Sequence, residues 1–438
     1  MKVALVNPHW HFARSIYFGC QSEHLPLELG YAATLLQQSG HDVLMLDGRI
    51  MGLDQQELVD RVAEFAPDMT VLTTAPTYLF WRCTQPEITV PLEFLQLLGP
   101  RGGLRVLVGP HGSVTPQAVL KKLPADVVIR GECEEAIVEI ANTESISALR
   151  GLAIREGDRI RVTGHPRACR FTDLPPLRWP QEWIARHTHH HHRFHGEWTG
   201  YGAEVEASRG CPYACSFCAK MDFRDRYRKR ELARLLDEID GLIAQGVTYL
   251  YFIDEIFLAD KSLLEALATR AISFGVQTRV DLWKPQMLRL LGEAGCVSIE
   301  AGMESVSLEG REALRKKCKM STDDLVDRLI YARQFVPFVQ ANLIRMEEDE
   351  SVMMQYWRDQ LARHGVWTND PVPLYRYPSS PGYRELWGEP DDHAWERAHD
   401  HYLREFEAFS DLQSEQPARL QELETCCRTA EMRTCISC

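Results

Sequence analysis

The stretch SRGCPYACSFC, Ser208 to Cys218, carries three cysteines at Cys211, Cys215 and Cys218. Their spacing is C-x3-C-x2-C, and no fourth cysteine follows nearby. A structural zinc ion normally takes four protein ligands in a tetrahedron. Three thiolates can instead hold three irons of a [4Fe-4S] cube and leave the fourth iron with open sites, as a catalytic metal requires. Zinc stays open as the alternative if a fourth ligand comes from elsewhere. Cys426, Cys427, Cys435 and Cys438, in the pattern C-C-x7-C-x2-C, offer such a ligand, or a zinc or iron–sulfur site of their own. A histidine-rich run covers His187 to His195. Its four consecutive imidazoles, His189–His192, cannot all face one metal, so the run reads as a solvated linker, with a contribution to the substrate mouth before the barrel as the alternative.

These residues need a scaffold. Residues 1–145 alternate short apolar runs with amphipathic segments, which predicts a doubly wound, Rossmann-like parallel sheet. Its expected strands are Lys2–Val6, Asp42–Leu46, Met69–Thr73, Arg105–Val108 and Asp126–Ile129. Ligands of such sheets sit beyond the carboxyl ends of the strands. That singles out the loops at Asn7–Pro8, Asp47–Gly52, Thr73–Pro76 and Gly109–Gly112. Prolines and histidines break the rhythm over 146–200, which reads as a crossover linker. From 201 to 365 a second βα series runs, expected to form a full or partial barrel. Its helices are expected at Glu231–Ala244, Lys261–Phe274, Pro285–Ala294, Thr322–Phe335 and Ser351–His364. Barrel chemistry lies on the loops after the strands, and the cysteine loop follows the first one. Residues 366–438 read as mainly helical.

Composition narrows the function classes. Of 438 residues, 45% are hydrophobic and 25% charged, as in an ordinary globular protein. The net charge of −13 opposes attraction to nucleic acid or anionic membrane. The opening MKVALVNP reads as a buried strand rather than a signal peptide. Without an apolar run long enough to span a bilayer, thirteen cysteines point to a reducing cytoplasm and to metal or redox use.

The cysteine loop, with aromatic Phe217 before its last cysteine, resembles that of the radical S-adenosylmethionine (SAM) superfamily. The resemblance implies a [4Fe-4S] cluster on Cys211, Cys215 and Cys218 whose open iron chelates SAM. One electron then releases a 5'-deoxyadenosyl radical. YLYFIDEIF, GVQTRVDLW and IEAGMESVS resemble the strand ends that hold SAM in that family. They imply SAM contacts at Asp254, Glu255, Arg279, Glu304 and Ser305, with Asp281 beside Arg279.

HLPLELGYAATLLQQSGHDVLMLD, GPHGSVTP and RGECEEAIVEI resemble the cobalamin (B12)-binding domain found ahead of many such barrels. This implies cobalamin contacts at Asp47, Arg49, Gly52, Thr73, Thr74, Gly109, Pro110, His111 and Gly112. Gly109 and Gly112 are expected to let the backbone approach the cofactor. Thr73, Thr74 and Ser113 are expected to bond its polar groups. One position departs from the family. Where the pattern D-x-H-x-x-G places a cobalt-ligating histidine, this chain has Arg49, which has no lone pair to give. His9, His11 and His111 are the other candidates for the lower face. The expected reaction is methyl transfer to an unactivated carbon of a small molecule, with electrons from a flavodoxin or ferredoxin. The alternatives are radical rearrangement, cyclisation or oxidation, or a first domain that does not bind cobalamin.

Overall fold

The computed structural model describes residues 1–11, 23–77, 87–187, 194 and 200–405. The four cysteines from Cys426 to Cys438, and the histidines of the run other than His187, lie outside the described residues.

The first sheet is built from β1 (Lys2–Asn7), β2 (Asp42–Asp47), β3 (Met69–Thr73), β4 (Leu104–Val108), β5 (Val127–Ile129), β6 (Leu152–Glu156) and β7 (Arg159–Thr163). Their spatial order is β2-β1-β3-β4-β5-β6-β7, and β1 to β5 are parallel. Alternation along β1 shows why this sequence makes a central strand. Val3 and Leu5 pack with Leu29, Ala32, Ile137 and Ile140 on one face. Ala4 and Val6 pack with Leu58, Val62, Phe94 and Leu98 on the other. Both faces are therefore covered by helices, the doubly wound arrangement. The order reverses between β1 and β3, which makes the crevice beyond their carboxyl ends the switch point where such sheets bind ligands. The strands run close to their expected bounds. One revision concerns the linker: its residues 152–163 form an antiparallel hairpin that extends the first sheet.

The second sheet contains β8 (Tyr201–Val205), β11 (Val247–Phe252), β12 (Ser273–Thr278), β13 (Cys296–Glu304), β14 (Phe338–Leu343) and β15 (Trp367–Thr368). A small ribbon pairs β9 (Ser208–Arg209) with β10 (Arg228–Lys229). The six strands lie in the order β8-β11-β12-β13-β14-β15, all parallel, a partial barrel. The helix expected over Lys261–Phe274 ends at Leu267. Its apolar run reads on as helix, but Ser273 and Phe274 pair with Tyr249 and Leu250 of β11. Tertiary pairing overrides local pattern there. Trp10, Leu25, Tyr31 and Ile50 of the first unit share one apolar cluster with Ala203, Val205 and Phe252 of the second. The strand-end loops of the first sheet are thus packed onto the start of the barrel.

Candidate active site

The cysteine loop leaves β8 through Gly210, whose φ is +76°. A Cβ at this position would lie 2.2 Å from the Arg226 carbonyl oxygen, so the turn admits only glycine. The Gly210 N–H donates to Glu255 Oε2 at 2.8 Å, and Lys220 Nζ donates to the Cys211 carbonyl at 2.5 Å. Farther along, the Ser216 N–H donates to the Leu314 carbonyl at 2.9 Å, and the Ser216 carbonyl accepts from the Gly382 N–H at 2.7 Å. That last contact is made by the segment YPSSPGYREL, Tyr377 to Leu386. Ser380 caps the helix Pro381–Trp387, and the helix start braces the cysteine loop.

Within this frame Cys211, Cys215 and Cys218 are all partly exposed, whereas Cys133, Cys169, Cys296 and Cys318 are buried. Burial raises all three loop thiols, that of Cys218 to about 12, and the other two thiols push Cys218 further up. Their thiolates therefore need added positive charge. A metal cluster supplies it, and Lys220 and Lys316 contribute next to Cys211 and Cys215. One zinc would draw its sulfurs to roughly 3.8 Å from one another at a Zn–S bond of about 2.3 Å. Among the described residues these three sulfurs do not form a group of ligand atoms lying within 4.8 Å of one another. The wider spacing fits thiolates that each bind a different iron.

The five residues expected at SAM divide into two sets. Arg279 lies 4.2 Å from the Tyr213 ring centroid within the cysteine loop, pairs with Asp281 at 2.7 Å and donates to the Lys316 carbonyl at 2.7 Å. Glu304 accepts from Lys316 Nζ at 2.8 Å and holds a left-handed φ of +64°. Both act on the charge of Cys215, so they border the loop. Asp254 and Ser305 face inward, whereas Glu255 bonds the loop at Gly210 and acts on the charge of Cys211 and Cys218. Asp254 accepts from Ser208 Oγ at 2.5 Å and from the Ala207 N–H at 2.9 Å. Burial pushes its carboxyl up to about 8. Glu255 bonds Gly210 and Arg224, and Ser305 Oγ donates to Asp349 at 2.7 Å. Sequence reasoning missed Lys220 and Lys316, whose only signal was their place beside the cysteine loop and in the run KKCK.

At the first sheet, Asp47 accepts from Asn7 Nδ2 at 2.6 Å and from the N–H groups of Arg49 and Ile50. Burial raises its carboxyl to about 6. Thr73 Oγ1 donates to Asn7 Oδ1, and Thr74 Oγ1 to the Val108 carbonyl. Gly52 closes its turn with φ +64°. Arg49 donates to the Trp10 carbonyl at 3.2 Å. His9 Nδ1 spends its proton on the Leu53 carbonyl at 2.8 Å, and His11 is exposed. The turn Gly109–Gly112 is a different matter. A Cβ on Gly112 would lie 2.4 Å from Val128 Cγ1, so this glycine serves internal packing. His111 and Pro110 are buried, and Trp395 packs on the His111 ring at 4.6 Å while its Nε1 donates to Thr115. The helix Ala394–Glu405 therefore covers the turn. Asn7, Asp47 and Thr73 form one hydrogen-bonded group at the carboxyl ends of β1, β2 and β3, with Arg49 just beyond β2.

A buried charge network joins the two units. Arg209, two residues before Cys211, pairs with Glu134 at 2.5 Å and Glu206 at 2.7 Å. Arg224 pairs with Glu206 at 2.7 Å, Glu28 at 2.8 Å and Glu255 at 3.3 Å. Arg228 pairs with Glu132. Glu132 and Glu134 follow the carboxyl end of β5, and Arg209 follows that of β8, so the carboxyl edges of the two sheets are drawn together. Burial raises the Glu28 carboxyl, and the Arg224 guanidinium beside it pulls against that shift.

Residues 205–354 match the family model of the radical SAM superfamily, and residues 20–141 that of the B12-binding domain. The anaerobic magnesium-protoporphyrin IX monomethyl ester cyclase of Cereibacter sphaeroides is 26% identical over 416 residues, covering 86% of this chain and 63% of its own. The cobalamin-dependent radical SAM methyltransferase TokK of Streptomyces tokunonensis is 28% identical over 301 residues, 63% of this chain and 40% of its own. The chain thus spans less than two thirds of the length of these relatives. The radical SAM methyltransferase TsrM of Kitasatospora setae superposes with a TM-score of 0.71 at 18% identity, covering 88% of this chain and 77% of that one. With both domain matches in chain order on the two sheets described above, the protein belongs to the radical SAM superfamily, in the branch whose barrel is preceded by a B12-binding domain.

Proposed function

We propose that the protein is a cobalamin-dependent radical SAM enzyme that transfers a methyl group to an unactivated carbon of a small molecule. The observation that carries this reading is the buried Arg209–Arg224 network, which seats the carboxyl edge of the first sheet against the cysteine loop of the second. Cys211, Cys215 and Cys218 hold the [4Fe-4S] cluster. Arg279 and Glu304 meet SAM, while Asp254, Glu255 and Ser305 support it by fixing the backbone around them. Asn7, Asp47, Arg49 and Thr73 border the cobalamin, and Arg49 leaves the lower face of cobalt without a nitrogen ligand from this position. When bound, the cluster and SAM supply a 5'-deoxyadenosyl radical and cobalamin supplies a methyl carrier. The apolar cluster shared by the two units keeps water from the space between them, which protects a reactive radical. A flavodoxin or ferredoxin supplies electrons.

The test is anaerobic reconstitution with iron, sulfide, cobalamin, methyl-deuterated SAM, reductant and candidate substrates. Label in product carbon, with both S-adenosylhomocysteine and 5'-deoxyadenosine formed, is the expected result. The cyclase relative favours a second reading, ring formation on the same scaffold. Substrate-dependent deoxyadenosine without label in the product would replace methyl transfer by that reading.

A further inference from the structure

His24, His187 and Glu204 come from three separate parts of the chain: the segment before the helix Leu27–Gln38, the end of the crossover helix Gln181–Ile184, and strand β8. Their ligand atoms all lie within 4.8 Å of one another. His24 Nδ1 is 2.6 Å from Glu204 Oε1, and His187 Nε2 is 2.5 Å from Oε2. The three side chains are 6%, 0% and 1% exposed. His187 opens the histidine run that reads as solvated, yet it is fully buried.

Two features set this cluster apart from an ordinary ion pair. His187 Nε2 sits 2.5 Å from the carboxylate, and the other ring nitrogen, Nδ1, is buried with no hydrogen-bond partner among the described residues. The second feature is charge. Glu206, two residues farther along the chain and just past β8, is matched by two guanidiniums. Among the described residues Glu204 is paired with no lysine or arginine; its contacts are the two imidazoles and the Leu25 N–H. A carboxylate taken out of water needs a countercharge, and a divalent cation held among the three ligands would supply it in full.

We propose that His24, His187 and Glu204 bind a divalent transition-metal ion, zinc by its ligand set, which fastens the first domain and the crossover to the barrel. Two imidazoles and one carboxylate are a ligand set with which proteins hold zinc and leave a fourth position for water. Calcium and magnesium prefer all-oxygen sites. Ligands at about 2.0–2.1 Å from a tetrahedral ion stand roughly 3.3 Å apart, so each nitrogen need retreat from the carboxylate by less than about 1 Å. The site is separate from the cysteine loop and stands whatever reaction the loop performs.

The full chain, purified anaerobically with its cluster and stripped with a mild chelator, is loaded with zinc alone and desalted. Elemental analysis should find one tightly held zinc per chain, and zinc-edge X-ray absorption should show imidazole and oxygen ligands without sulfur. Glu204→Gln and His187→Asn should each lose that zinc, while replacing His189–His192 together by serine should keep it. Absence of bound zinc in the parent, sulfur in its ligand shell, retention by Glu204→Gln, or loss with the serine replacement would each overturn the proposal. If a variant fails to fold, the ligand shell of the parent still decides.

Discussion

Asp254 illustrates how burial at a strand end sets the state of an acid. Its carboxyl, ordinarily near 3.8, is pushed up to about 8 by burial, against the opposing pull of the hydrogen bonds from Ser208 and the Ala207 N–H. The folded chain therefore holds a proton there that the unfolded chain has already released. Where the folded group binds more protons than the unfolded one, stability falls as pH rises. The window runs from the ordinary carboxylate range up through about 8. Asp254→Asn keeps one acceptor for Ala207 and cannot ionise. Urea midpoints at pH 5, 7 and 8.5 should show the variant gaining on the parent as pH rises. A gap that stays constant with pH would show that Asp254 does not carry the proton.

Among the elements, the cysteine loop is the one that admits least variation. Gly210 combines a left-handed φ with a Cβ position 2.2 Å from a backbone oxygen. Gly388 has nearly the same φ, +77°, but open space around its Cβ position. Alanine at Gly388 should therefore cost only the backbone strain of its φ +77°, ψ −156° conformation, about 1–3 kcal/mol. Alanine at Gly210 must also displace the Arg226 carbonyl and with it the Cys211 side of the loop. Iron and sulfide analysis after reconstitution should find the Gly388→Ala chain near the parent and the Gly210→Ala chain stripped of most of its cluster. Equal iron in both would mean the loop reshapes freely.

Taken whole, the molecule is held together across its two sheets by buried charge as well as by a shared apolar cluster. Removing one partner from a buried ion pair typically costs about 3–5 kcal/mol, because the other charge is left without compensation. Arg224→Met strands Glu28 and Glu255 in this way, while Glu206 keeps Arg209, and should lower thermal stability accordingly. Adding Glu28→Leu to Arg224→Met removes one of those stranded carboxylates, so the double variant should recover part of the loss. If it is no better than the single variant, Glu28 is not coupled to Arg224. The exposed pairs Lys121–Asp392 and Lys122–Glu396 should count for well under about 1 kcal/mol each.

Local pattern was enough to read the parallel strands from the chain, because both-face burial of Val3–Val6 and Met69–Thr73 imposes continuous apolar runs bounded by polar turns. The spacing of Cys211, Cys215 and Cys218 was equally legible, since a loop that binds one cluster carries its ligands close together in sequence. What the chain could not reveal were partners distant along it. Glu28 meets Arg224 and Glu134 meets Arg209 only because two sheets pack carboxyl edge to carboxyl edge. Gly382 reaches Ser216 for a similar reason, and His24, His187 and Glu204 converge across the junction of three segments. Strand-end acids look alike in sequence, and only packing separated Glu304, which borders the cysteine loop, from Asp254, which is turned inward. Local propensity and spacing act over a few residues and are written in the chain; countercharge, burial and ligand convergence act through space, and the tertiary fold alone decides them.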